Sequence, residues 1–145
     1  MRYLTTLAGL LSAAALAVAV PAVAKPSHPS TSHKCTPHKV AYTAYGKLVS
    51  FSGTKTGKDR YTGTITVHVT KANHHARADK NGDVTYNLNN TVVKFGKGTG
   101  PSDTGDRVKV IGKITELAKK CSQTGFTPTV TVRKVDISAV KGKKH

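Results

Sequence analysis

The sequence predicts an all-β protein, a small closed barrel of five or six short strands, and three observations carry that prediction. From Val40 on, apolar and polar residues alternate with period two, and Thr, Val, Ile and Tyr dominate the alternating stretches. Clusters of Gly, Asn and Asp break the alternation about every ten residues, a spacing that suits short strands joined by turns. No long stretch carries the 3.6-residue apolar period of a helix.

The first strand is expected over Tyr42 to Ser52. The second runs from Tyr61 to Thr70, with Tyr61, Gly63, Ile65, Val67 and Val69 on the core side and Thr62, Thr64, Thr66, His68 and Thr70 on the solvent side. Between these two strands, Gly53 to Asp59 spaces its glycines one residue too closely for a phosphate-binding loop and ends in Asp where Ser or Thr is needed. It reads as a Lys-rich hairpin loop. Asn81-Gly82, a strong tight-turn dipeptide, precedes the alternation of Val84, Tyr86 and Leu88. Asn89-Asn90 is expected to turn the chain again into a separate short strand, Thr91 to Phe95. Arg107 to Ile114 puts Val108, Val110, Gly112 and Ile114 inward and Arg107, Lys109 and Lys113 outward. Thr115 to Cys121 forms one helical turn at most or extends that strand. In Thr129 to Ile137 the apolar parity slips between Val130/Val132 and Val135/Ile137, which predicts a bulge near Arg133-Lys134. Short, twisted strands in this number favour an OB-like closed barrel, because closure removes exposed edges; a small β-sandwich is the alternative.

The chain of 145 residues is long enough for one domain and one core. Residues 1–24 have the form of a signal peptide: Arg2, an uncharged run from Leu4 to Val20, and the small residues of Ala22-Val23-Ala24 before the expected cleavage point. Residues 25–39 contain three Pro, several Ser and Thr and no aliphatic side chain, and read as a disordered basic tail. The β domain then covers 40–140 and a second basic tail covers 141–145. The protein is accordingly expected outside the cytoplasmic membrane, secreted or in the cell envelope.

The segments Gly46-Lys47-Leu48-Val49, Gly63-Thr64-Ile65-Thr66-Val67, the run from Val69 to Arg77, and Gly105-Asp106-Arg107-Val108-Lys109-Val110-Ile111-Gly112 resemble uncharacterised bacterial exported proteins with a small OB-like β-barrel domain of unknown function. The resemblance spans about Val40 to Val140. It implies the fold and the envelope location and supplies no catalytic residues.

Cys35 and Cys121 are the two cysteines of the chain, and in an exported protein they are expected to pair. The competing reading is a soft-metal site at His33-x-Cys35-x-x-His38 with His28 nearby. His74-His75 follows a strand, where adjacent side chains diverge and chelate poorly. Asp79 to Asp83 matches only the first half of a calcium loop, with Val84 at the sixth position and Asn90 at the twelfth. The acidic residues, six Asp and Glu116, are spread singly along the chain, and no nucleophile elbow or metalloprotease helix is present. No enzyme activity, cofactor or metal is therefore expected.

Charge is the unusual feature: 23 Lys and Arg stand against 7 Asp and Glu, a formal net charge of +16. The cations occupy outward strand positions (Lys47, Arg107, Lys109, Lys113), the Lys119-Lys120 pair and the C-terminal Lys143 and Lys144. Such a surface attracts polyanions, and these eight residues are the expected contacts to wall polymer, acidic polysaccharide, lipid headgroups or nucleic acid. The protein is expected to act as a monomer that binds such anionic polymers nonspecifically. A structural or protein-interaction role in the envelope is the second reading and metal binding the third. Tyr61, Tyr86, Phe51 and Phe95 sit in alternation that buries them, so base stacking of the sequence-specific kind is not expected.

Overall fold

The computed structural model of the chain describes residues 35–140 together with residue 142. Among the described residues five strands form, β1 (His38–Gly57), β2 (Arg60–Ala72), β3 (Asp83–Phe95), β4 (Arg107–Glu116) and β5 (Thr129–Ser138), with a short 3-10 helix (His74–Asp79) between β2 and β3. They belong to one sheet whose order β1-β2-β3-β5-β4 returns to β1, so the strands close into a ring. All neighbours are antiparallel except β3 and β5, which run parallel over Val92–Phe95 and Lys134–Ile137.

Closure depends on the length of β1. Its first half pairs with β4 from His38 to Lys47 and its second half with β2 from Ala44 to Gly57, so only residues 44–47 are paired on both sides. The β1–β2 register shifts twice near this junction, with Thr70 the extra residue of β2 opposite Tyr45/Gly46 and Val49 the extra residue of β1 between Leu48 and Ser50. Gly46 permits the close approach of β1 to β2, because a Cβ there would run into the His68 carbonyl of β2.

The expected inward positions line the core. Ile65, Val67 and Val69 of β2, Tyr86 and Leu88 of β3, Val108 and Val110 of β4, and Val135 and Ile137 of β5 are buried with Tyr42, Ala44 and Leu48 of β1. Each buried aliphatic side chain contributes about 1.5–3 kcal/mol relative to exposure. Towards the β1–β2 hairpin, Phe51, Tyr61 and Phe95 pack edge to face with ring centroids 5.5–5.8 Å apart. The 3-10 helix is held against β1 by Asn73: its backbone N–H donates to the Thr43 carbonyl at 3.0 Å and its side-chain amide to the Ala41 carbonyl at 2.8 Å. The Asn73 side-chain oxygen also caps the helix by accepting from the Ala76 N–H, and Ala76 is buried against the core.

Several local expectations are corrected. Gly53 to Gly57 is strand, and the hairpin turn is confined to Lys58 and Asp59, the latter at φ 54°. Asn89-Asn90 does not divide the third strand. Asn90 takes φ 51° and makes a bulge opposite Thr62, where the β2–β3 register shifts, and β3 continues to Phe95. The bulge expected in the last strand is present: Ile111 pairs with Lys134 and Gly112 with Val132, leaving Arg133 as the extra residue. Thr115 and Glu116 extend β4. Within the stretch read as an N-terminal tail, Lys39 pairs with Thr115 and His38 with Glu116, so β1 starts two residues before Val40. Cys35 is bonded to Cys121, with Cα atoms 5.7 Å apart. The signal-peptide region, residues 25–34 and the lysines of the C-terminal tail lie outside the described residues.

Candidate functional site

The outward face of β1 carries the site. Because Tyr42, Ala44 and Leu48 point inward, Tyr45 and Lys47 point out. Tyr45 falls in the doubly paired stretch, with Lys71 of β2 as its neighbour on one side and Lys109 of β4 on the other. Lys47 lies beside His68 and Arg107 in the same way. Tyr45, Lys47, Lys71, Arg107, Lys109 and Asp136 line a cleft of about 790 Å³. Neighbouring strands lie about 4.8 Å apart, so the ring is flanked by a cation on each side at the spacing of the sheet.

Tyr45 is 43% exposed, and among the described residues only it and Val49 are exposed large hydrophobic side chains. The Lys109 ammonium stands 5.4 Å from the Tyr45 ring centroid, a cation–π contact. Asp136 is the single acidic residue of the cleft lining, and its carboxylate is paired with Lys134 at 2.8 Å.

The other basic positions do not join this cleft. Lys113 lies further along β4 between Ala41 and Thr131, four residues or about 13 Å from Lys109. Lys119 lines a separate cleft of about 700 Å³ with His74, His75, Arg77 and Glu116. Lys120 is exposed beside Cys121. Lys143 and Lys144 lie outside the described residues. The structure thus brings Lys47, Arg107 and Lys109 together, leaves Lys113, Lys119 and Lys120 apart, and adds two residues that the sequence reading missed, Tyr45 and Lys71. The signal for Tyr45 was available, because the alternation of Tyr42, Ala44, Gly46 and Leu48 assigns Tyr45 to the outer face. Lys71 owes its place to the bulge at Thr70, which the sequence pattern does not reveal.

The remaining polar groups of note are occupied within the fold. His74 and His75 are not on extended chain: the 3-10 helix brings their ring centroids within 3.6 Å. His75 Nδ1 meets Glu116 Oε1 at 2.8 Å, and His38 Nε2 approaches the same oxygen at 3.9 Å. The carboxylates that suggested a calcium loop serve different partners, Asp79 accepting from the Tyr42 hydroxyl at 2.5 Å and Asp83 contacting His68 Nδ1 at 2.7 Å. No cluster of three or more His, Cys, Asp or Glu among the described residues is arranged to hold a metal ion. The disulfide removes the Cys35 thiolate on which the soft-metal reading depended, and His28 and His33 lie outside the described residues.

Two buried tyrosines belong to the polar interior, together with Thr91 and Asp106. Burial, then the hydrogen bond to Asp79, drives the Tyr42 hydroxyl well above the ordinary tyrosine range. Tyr86 is pushed up to about 12, by burial first and by the Asp79 charge in addition. Both are neutral hydrogen-bonding groups at physiological pH.

No protein-family profile, curated protein or solved structure matches this chain.

Proposed function

We propose that this protein is a secreted, non-enzymatic OB-like β-barrel that binds polyanions through the Tyr45 cleft. The observation that carries the reading is the convergence of Lys47, Lys71, Arg107 and Lys109 from three strands around one exposed ring. Four cations against one already paired carboxylate attract polyanions, and neutralising phosphates or sulfates releases counterions, which favours binding at low salt. The OB-like assignment is supported by the strand order β1-β2-β3-β5-β4 with a parallel β3–β5 pair. Export is supported by the leader-like residues 1–24 and by the Cys35–Cys121 disulfide, a bond that persists in oxidising compartments. A non-enzymatic role is supported by the carboxylates, since Asp79, Asp83, Glu116 and Asp136 each contact a hydroxyl, an imidazole or an ammonium within the fold.

The test is elution from immobilised heparin across a salt gradient. The wild-type protein is retained at low salt, and the Lys47→Gln/Lys71→Gln/Arg107→Gln/Lys109→Gln variant elutes much earlier. Its logarithmic salt dependence is shallower by up to about one unit for each phosphate-like contact removed. Neutralising Lys119 and Lys120 instead changes elution less. Equal effects of the two variants would assign binding to diffuse charge, and an unretained wild-type protein would overturn the reading.

A further inference from the structure

The Tyr45 cleft is more than a patch of positive charge, because its centre is aromatic. We infer that it binds single-stranded nucleic acid, with one base stacked on the Tyr45 ring and the neighbouring phosphates held by Lys47, Lys71 and Arg107. This rests on the polyanion reading of the same cleft and narrows it to one ligand class.

Three features of the cleft point to that class. The backbone that presents the ring is fixed: Tyr45 lies in the one stretch of β1 that is paired on both sides. Thr70 at the adjoining bulge also donates to the Tyr45 carbonyl at 3.3 Å. A platform fixed in this way loses little conformational freedom when a ligand stacks on it. Cations flank the ring across the sheet at Lys71 and Lys109, and Lys47 lies two residues along the strand, about 6.8 Å away. This alternation of flat apolar surface and positive charge matches a chain that alternates bases and phosphates. Finally, Asp136 lies in the cleft lining. Its Oδ2 is paired with Lys134, and the carboxylate's remaining lone pairs accept hydrogen bonds from the amino and imino groups of a base. A duplex keeps its bases paired and stacked inside and cannot offer one to the ring. The cleft's contacts to charge and to a base face need not distinguish sequence, because every base has a stacking face.

The experiment compares three probes on the oxidised full-length protein: a fluorescent oligothymidylate of about 12 nucleotides, within the span typical of one OB-like domain, the same strand annealed to its complement, and heparin. Tyr45→Ala is expected to weaken oligothymidylate binding by about 5- to 160-fold, the range for losing one stacked base. Heparin affinity changes less than about 2-fold, since no charge is removed. Tyr45→Phe keeps the flat ring and retains most of the affinity. Circular dichroism checks that the outward substitution leaves the fold intact. The chain has no Trp, so tyrosine emission is readable directly, and stacking quenches a component that is absent in Tyr45→Ala. If Tyr45→Ala binds oligothymidylate as well as wild type, or the duplex binds as tightly as the single strand, the stacking site is overturned while the polyanion reading stands. If heparin proves the tighter ligand and its affinity depends on Tyr45, the cleft belongs to acidic polysaccharide and the inference again fails. If none of the three probes binds at low salt, both readings fall together.

Discussion

Tyr42 and Tyr86 meet hydroxyl to hydroxyl at 2.7 Å inside the strand ring, 44 residues apart in sequence, with their rings edge to face. Tyr42 donates its proton to Asp79 at 2.5 Å, so the bond between the tyrosines is donated by Tyr86. The order of protons Tyr86 to Tyr42 to Asp79 ties β3, β1 and the end of the 3-10 helix into one chain that runs from the core to the half-buried Asp79. Ionising either tyrosine breaks it.

A pH dependence follows. Burial pushes the Tyr86 hydroxyl up to about 12 from its ordinary 10.0, so the folded state holds its proton more tightly than the unfolded state does. Its contribution to stability is fully present below pH 10 and is lost as pH rises from there through about 12. Urea titrations over that window should show a falling midpoint, and tyrosinate absorbance should show a class of late-titrating tyrosines. Tyr42→Phe removes the link while preserving the ring. It should cost about 1–3 kcal/mol and flatten the alkaline fall; an unchanged alkaline profile in Tyr42→Phe would count against the relay.

The disulfide gives a second prediction. Cys35 and Cys121 are separated by 86 residues, and the bond ties the segment leading into β1 to the β4–β5 connection. Mass spectrometry after alkylation of the native protein should find no free thiol. The Cys35→Ser/Cys121→Ser variant should lose about 2–4 kcal/mol, with a lower melting temperature. Two alkylatable thiols in native material would contradict it.

The outward cations of β4 separate into two groups. Arg107 and Lys109 line the Tyr45 cleft and Lys113 does not. Neutralising all three to Gln should leave the circular dichroism spectrum nearly unchanged, since surface substitutions typically fall within about 0.5 kcal/mol. Heparin elution should move to lower salt, with most of the shift reproduced by Arg107→Gln/Lys109→Gln and little by Lys113→Gln alone. Equal contributions from each position would mean that the cleft has no special role.

Glycine positions test the ring geometry. At Gly63 the backbone has φ 139° and a Cβ would run into the Ser52 carbonyl across the strand pair, whereas at Gly57 the nearest atom to an added Cβ is 3.8 Å away. Gly63→Ala should cost roughly 2 kcal/mol or more, because both strain and the close approach oppose it. Gly57→Ala should stay within about 0.5 kcal/mol. Comparable melting temperatures for the two variants would refute the tight β1–β2 approach.

Period-two alternation alone determined the all-β class, the inward faces of β2, β4 and β5, and the bulge at Arg133. The reason is physical: side chains alternate sides along a strand, so a buried face leaves its pattern in the residue order. The pairing of Cys35 with Cys121 was legible because two cysteines leave one intramolecular choice. The continuity of β3 through Asn90 was not legible, since Asn suits both a turn and the positive φ of a bulge. Nor was the extension of β1 through Gly53 to Gly57, where Lys, Thr and Gly match a solvated loop as well as an exposed strand. The candidate site itself depended on tertiary structure. Tyr45, Lys71 and Lys109 share a cleft because β1 pairs with β2 on one side and β4 on the other at Tyr45, and the Thr70 bulge of β2 brings Lys71 into register with it. Alternation specifies which face of a strand a residue occupies; cross-strand register, set by bulges and ring closure, decides which residues from distant segments meet on that face.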